Sequence, residues 1–189
     1  MEFPNRKRNR LENFDYSSNG AYFITICVKD RKPILSKINV GTGVLDCPKI
    51  QLSNYGIIYN KYINQLSQFY DNISVDKYVV MPDHIHLLIS IRNGQSRTTR
   101  ENFKKDTTNS VIAEFVSTFK RFCNKEVGHN IWQSRYYDHI IRNQDDYNEK
   151  CEYIENNPAK WLLMKQPLNT ESRIPYKKIP STEVLGIFV

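Results

Sequence analysis

Strand, helix, strand, strand, helix, strand, helix: this succession, read from side-chain periodicity, predicts an α+β fold built on an antiparallel sheet. Three observations carry it. The β-prone runs 74–81 and 84–91 are separated only by Pro82-Asp83, a connection so short that they pair as an antiparallel hairpin. The segments 53–69 and 110–127 repeat apolar residues at helical spacing. A length of 189 residues with 40% hydrophobic content suits one domain with a real core, and no internal repeat is visible.

Residues 1–19 read as a basic arm, with Arg6, Lys7, Arg8 and Arg10 in a polar stretch that ends in the turn Ser17-Ser18-Asn19-Gly20. The domain proper is expected over 20–165. Its first strand, 21–28, is Ala-Tyr-Phe-Ile-Thr-Ile-Cys-Val, a run of aromatic and β-branched side chains that fits a packed, pleated surface. It stops at Lys29-Asp30-Arg31-Lys32-Pro33. Residues 30–50 read as a loop with room for a short hairpin; Gly41-Thr42-Gly43 is too short and misplaced for a phosphate-binding loop.

Ser53 is the expected cap of a helix over 53–69, whose Tyr55, Ile58, Tyr59, Tyr62, Ile63, Leu66 and Phe69 are taken as core. After the hairpin, residues 92–109 are polar and basic (Arg97, Arg100, Lys104, Lys105) and are expected to be a mobile loop. A second helix runs from Ser110 to Val127-Gly128, with Val111, Ile112, Phe115, Val116, Phe119 and Phe122 on its apolar face. Lys120 and Arg121 lie near its end, where the macrodipole favours cations. A strand follows at 136–141. The last helix begins at a cap, Asn143 or Asp145, and is expected to stop at Pro158. Residues 166–189, punctuated by Pro167, Pro175 and Pro180, read as an extended tail packed on the body.

A net charge of +7 and a pI near 9.2 point to a polyanionic partner, nucleic acid before membrane. No run approaches transmembrane length, and the opening residues lack the apolar core of a secretory signal. Cys27, Cys47, Cys123 and Cys151 are scattered without a Cys-x-x-Cys pair, which argues against a zinc finger or disulfide framework and for reduced thiols. A cytoplasmic location is the expectation.

Two of the four histidines, His84 and His86, open the second strand of the hairpin. Strand side chains two apart share a face, so both imidazoles point the same way and form half of a metal site. On the last helix Tyr147, Cys151 and Ile154 form the seam that faces the sheet. Tyr153 and Asn157, four apart, stack on the flank beside that seam. A phenol and a carboxamide oxygen are thereby presented together, and amide oxygen suits a hard cation such as Mg²⁺.

Pro82-Asp83-His84-Ile85-His86 resembles the His-hydrophobic-His motif of the HUH endonucleases, in the Pro-(Asp/Glu/Asn)-His-hydrophobic-His form of the single-tyrosine transposases. The string from Trp132 to Arg142 (Trp-Gln-Ser-Arg-Tyr-Tyr-Asp-His-Ile-Ile-Arg), followed by Tyr153-Ile154-Glu155-Asn156-Asn157-Pro158-Ala159-Lys160, resembles the C-terminal signature of the REP-associated tyrosine transposases. The likeness spans about residues 15–165 and leaves out the 92–109 loop and the tail.

This resemblance implies a ferredoxin-like antiparallel sheet of about four or five strands with helices on one face. It implies that Tyr153 is a nucleophile and that His84, His86 and Asn157 hold one Mg²⁺ or Mn²⁺. It further implies a DNA strand transferase and endonuclease that cuts and rejoins single-stranded, hairpin-associated DNA through a covalent 5′-phosphotyrosine. A free phenol is only about 0.1% ionised at neutral pH, so its proton needs an acceptor. Arg135 and His139 are expected near the site as hydrogen-bonding or phosphate-contacting residues. Tyr136 or Tyr137 are candidates for base stacking. Relatives of this kind occur as monomers or as homodimers that exchange the tyrosine helix. Rival readings are a domesticated, non-catalytic hairpin-binding module, an HUH-type replication initiator, and a zinc hydrolase built on the same histidines.

Overall fold

The hairpin expected around Pro82-Asp83 lies at the centre of the computed structural model, which describes residues 18–40, 47–92 and 110–165. Strand β4 (Ile73–Val80) pairs antiparallel with β5 (His84–Ile91), Val80 opposite Ile85. Strand β1 (Gly20–Cys27) pairs along the other side of β5, Cys27 opposite His84, and β6 (Tyr137–Ile140) closes the edge. The sheet order is β4-β5-β1-β6, four antiparallel strands with β5 and β1 inside. The 30–50 segment does form a short hairpin, β2 (Ser36–Asn39) with β3 (Lys49–Leu52), preceded by a 3-10 turn at Lys29–Arg31.

Helices α1 (Asn54–Phe69), α2 (Val111–Val127) and α3 (Gln144–Lys165) complete the fold. Ser53 caps α1 by accepting from the Gly56 N–H, and Ser110 caps α2 by accepting from Ala113. Gly128, at φ +84°, ends α2 in the left-handed conformation that glycine adopts without steric cost. Asn143 caps α3 through its side-chain oxygen on the Asp146 N–H.

Phe69, expected in the core, is 78% exposed at the end of α1, and two broader expectations need correction. The helices do not share one face of the sheet. Tyr22, Ile24 and Ile26 of β1 and Ile85, Leu87, Ile89 and Ile91 of β5 pack with α1 and α2 in the larger core. On the reverse face Phe23, Val79, Met81 and Leu88 meet Ile154, with Tyr147, Cys151 and Trp161 packed around them, so α3 covers that side. The physical cause is legible in β5 itself. Seven of its eight residues are buried, on both faces of the sheet, where a one-sided strand would alternate buried with exposed.

The second correction is at Pro158, which is buried inside α3; the helix continues to Lys165. A proline removes one N–H and so one helical hydrogen bond. Here that loss is offset by burying the ring and by carrying Trp161 onto the small core one turn later.

The small core is modest, and polar contacts reinforce it. The β4 ladder shifts register between Val75 and Lys77, which makes Asp76 the extra residue of a bulge. Its carboxylate accepts from Ser90 and, at 3.1 Å, from the Tyr147 hydroxyl of α3. Lys77 pairs with Glu155, and His139 of β6 meets Asp146 in the first turn of α3 at 2.9 Å. Contacts of this kind at a surface contribute about 0–1 kcal/mol each, so they supplement the small core and do not replace it.

The arm up to residue 17, the loop over 93–109 and the tail from 166 lie outside the described residues. With them go Arg6, Lys7, Arg8, Arg10, Arg97, Arg100, Lys104 and Lys105. Among the described residues no helix is long and apolar enough to cross a membrane.

Gly56 sits in the first turn of α1 with its Cα against β2's approach. A Cβ there would lie 2.1 Å from the Leu35 carbonyl oxygen, which already accepts from Ser53. Alanine normally stabilises a helix interior by about 1 kcal/mol over glycine. Gly56→Ala is expected to do the opposite, destabilising by about 1–3 kcal/mol through backbone overpacking. Urea unfolding checks the sign; a stabilised variant would contradict the packing described.

Candidate active site

The turn that presents the histidines is closed by one bond of its own and knit into two neighbouring segments. Met81 N–H donates to the His84 carbonyl, Leu35 N–H to the Pro82 carbonyl and Val28 N–H to the Asp83 carbonyl, each at 2.9 Å. His84 and His86 then emerge from β5 on the α3 face, both nearly fully buried. Their Nε2 atoms approach to 2.9 Å. Two nitrogens bound at adjacent positions to one metal, each at about 2.1 Å, stand about 3 Å apart, so the pair has the spacing of two ligands of one ion.

Each ring is held from behind. His84 Nδ1 meets the Asp83 carboxylate, which can only accept, so the proton belongs on Nδ1 and the Nε2 lone pair faces His86. His86 Nδ1 lies 2.8 Å from Thr25 Oγ1 on β1, its direct cross-strand partner. A hydroxyl both donates and accepts. Thr25 can therefore donate to Nδ1 while His86 Nε2–H bonds to His84, or accept from Nδ1–H when both Nε2 lone pairs serve an ion. Phe23 stacks on the His86 ring at 5.0 Å and 26°.

Across this pair runs the stripe Tyr153, Asn157, Trp161, at i, i+4 and i+8 on α3. Tyr153 stands edge-on to His86 at 5.2 Å between ring centroids and edge-on to Phe23 at 5.7 Å. Trp161 lies 6.1 Å from His84. Asn157 sits between them and is buried, 7% exposed, whereas Tyr153 remains 37% exposed. The flank position expected for both residues is therefore split: the amide is enclosed and the phenol is accessible. Lys160 Nζ sits 5.2 Å from the Tyr153 ring centroid.

Among the described residues no group of three or more His, Cys, Asp or Glu side chains converges as a metal site. The buried Asn157 on the facing helix carries an amide oxygen, a donor that suits a hard cation. His86 is held well below the usual imidazole range, to about 3, by burial first, and then by its neighbours His84 and Arg31, which disfavour a positive charge beside them. It is neutral, as a ligand must be, at neutral pH.

The Trp132–Arg142 segment is positioned by α2. Lys120 Nζ donates to the carbonyls of Gln133, Ser134 and Arg135 at 2.8, 3.4 and 3.2 Å, a different use from the helix-end role expected of it. Trp132 is buried against Tyr59 and Phe119 in the larger core. The two adjacent tyrosines part company: Tyr136 packs on that core, while Tyr137, 55% exposed, faces the histidine side. It occupies the same cross-strand row as Thr25 and His86. Arg135 is exposed, and His139 is engaged with Asp146.

A family model described as "Transposase IS200 like" matches residues 16–157. The chain belongs to that family. An uncharacterised Haemophilus influenzae protein is 31% identical over 170 residues, covering 82% of this chain and 89% of its own length. The REP-associated tyrosine transposase of Escherichia coli is 26% identical over 151 residues, covering 80% of this chain and 73% of its own. A solved REP-associated tyrosine transposase bound to a REP hairpin aligns with a TM-score of 0.55 at 21% identity, over 80% of this chain and 74% of that one. The fold is shared with that enzyme.

Within this IS200-like fold, His84, His86, Tyr153 and Asn157 stand out from the sequence, whereas Thr25 and Asp83 emerge as partners of the rings only in the structure. Asp83 carried a signal, since it immediately precedes His84. Thr25 carried none, because its neighbour is 61 residues away and only strand register brings them together.

The depressed His86 value fixes a pH dependence. The unfolded chain takes up this proton near pH 6.5 and the folded chain only near 3. The unfolded state therefore binds more protons between those limits, so stability is present above about 6.5 and is lost as pH falls toward 3. In chelator-treated protein the urea midpoint is expected to fall through this window, with a slope shallower by about one proton in His86→Phe. Equal slopes in both would mean that the folded state accepts the proton.

Proposed function

We propose that this chain is a metal-dependent DNA strand transferase and endonuclease that cuts and rejoins single-stranded DNA beside a hairpin. The observation that carries this is the edge-on approach of Tyr153 to His86, in one chain, above imidazoles whose Nε2 atoms converge. In the proposed assignment His84, His86 and Asn157 hold one Mg²⁺ or Mn²⁺. An ion held there would supply Lewis-acid stabilisation and orientation for the scissile phosphate.

Tyr153 Oη attacks the phosphorus, its phenolic proton leaves, and the bond from phosphorus to the 3′ oxygen breaks. The products are a 5′-phosphotyrosine and a 3′ oxyanion, which takes up a proton to become the free 3′-OH. One phosphodiester is exchanged for another, so the reverse step rejoins a different 3′ end without an external energy source. The split in exposure between the two α3 residues suits this division of labour. The phenol must reach a strand arriving from solvent, and the amide must not be displaced by water.

Tyr137 is the proposed platform for a base next to the scissile phosphate. Strands lie about 4.8 Å apart, so it stands roughly 10 Å from His86 across Thr25. Arg135 and the basic residues of the arm and loop (Arg6 to Arg10, Arg97 to Lys105) would contact phosphates. His139 is assigned chiefly to holding α3 on β6. The chain is proposed to act in cis, Tyr153 serving its own histidine pair.

Incubation with labelled hairpin-bearing single-stranded DNA and Mn²⁺ is expected to give an SDS-resistant adduct. The adduct should be abolished in Tyr153→Phe and reduced at least about 100-fold in His86→Ala, a loss of the size attached to removing a charge-stabilising group. Binding without an adduct on every hairpin tried would instead mark a domesticated binding module. Affinity should weaken by roughly 0.7 log units per log unit of salt for each phosphate neutralised. A salt-independent affinity would count against phosphate contact.

A further inference from the structure

Asp30 and Arg31 are the non-glycine residues with positive φ among those described, at 57° and 54°. Side-chain-bearing residues adopt this conformation rarely, and it persists only where the surroundings over-determine it. The surroundings of Arg31 lead to the histidine pair. Its Nε lies 3.2 Å from one oxygen of the Asp83 carboxylate, and one terminal nitrogen donates to Cys27 Sγ at 2.9 Å. The other oxygen of Asp83 accepts from His84 Nδ1. Cys27 is the residue directly across the ladder from His84.

Asp83 is 5% exposed, and a buried carboxylate is tolerated when it is paired and hydrogen-bonded. Arg31, half exposed, supplies the pairing from the solvent side. Three side chains thus run in series from solvent to the ring: guanidinium, carboxylate, imidazole. The strained turn at Lys29–Arg31 is what brings the first of them into line.

We propose that Arg31 is a positioning residue of the histidine pair. By compensating Asp83 and fixing its rotamer, Arg31 holds His84 in the Nδ1–H tautomer with its Nε2 lone pair turned toward His86. A planar guanidinium spans Asp83 and Cys27 at once, which a lysine ammonium cannot do from a single point. The consequence for metal rests on the functional reading above; the consequence for the tautomer does not.

The test uses the full chain with ¹⁵N-labelled histidine. In long-range ¹H–¹⁵N spectra of metal-free protein, His84 is expected as the Nδ1–H tautomer, and Arg31→Met or Asp83→Asn should shift it to a mixture. Arg31→Lys, which keeps the charge, should be intermediate, and it carries the comparison if Arg31→Met does not fold. In Mn²⁺ titrations followed by EPR, Arg31→Met should weaken binding roughly 10–100-fold. Lys61→Ala, which removes a surface pair with Glu126, should change neither readout. A wild-type His84 protonated on Nε2, or a tautomer unchanged in both Arg31 variants, overturns the proposal. A tautomer that responds in a wild type that binds no Mn²⁺ supports the positioning role and overturns the metal reading alone.

Discussion

Everything in this site depends on one strand being buried on both faces. Side chains alternate along β5, so Ile85, Leu87, Ile89 and Ile91 enter the core under α1 and α2 while His84, His86 and Leu88 enter the core under α3. The two imidazoles are therefore backed by a packed aliphatic layer one pleat away. Close-packed interiors deform little, and the 2.9 Å approach of the ring nitrogens inherits that stiffness.

The helix above the pair is attached differently. α3 contributes Ile154 fully to the small core and leans on Asp76, Lys77 and His139 for the rest. Polar clips at a surface yield more readily than an aliphatic core, which places the tyrosine-bearing helix among the less strongly held elements. The arrangement combines a rigid imidazole platform with a phenol that stays accessible. Asn157, one turn beyond Tyr153, is enclosed because Pro158 and Trp161 keep the helix pressed to the sheet past the point where it was expected to end.

Behind the rings, two partners of different chemistry set two different degrees of freedom. Asp83 can only accept and so dictates one tautomer of His84. Thr25 can do both and so leaves His86 free to exchange its proton between nitrogens. A pair built this way is coherent with its neighbours in either proton arrangement, which a second carboxylate in place of Thr25 would not allow.

Much of this was legible in the residues alone. Period-two alternation placed His84 and His86 on one face, the four-residue interval stacked Tyr153 on Asn157, and the short Pro82-Asp83 connection made the hairpin. Each is a local consequence of backbone geometry, and the helix caps at Ser53 and Asn143 belong with them. Tertiary structure decided the rest: that α3 lies opposite the other helices, that Pro158 sits inside it, that Thr25 reaches His86 and that Arg31 reaches Asp83. These follow from strand register and from the order in which strands assemble. A chain of residues carries no local signal for such contacts, because their partners are joined through the sheet and not through the sequence.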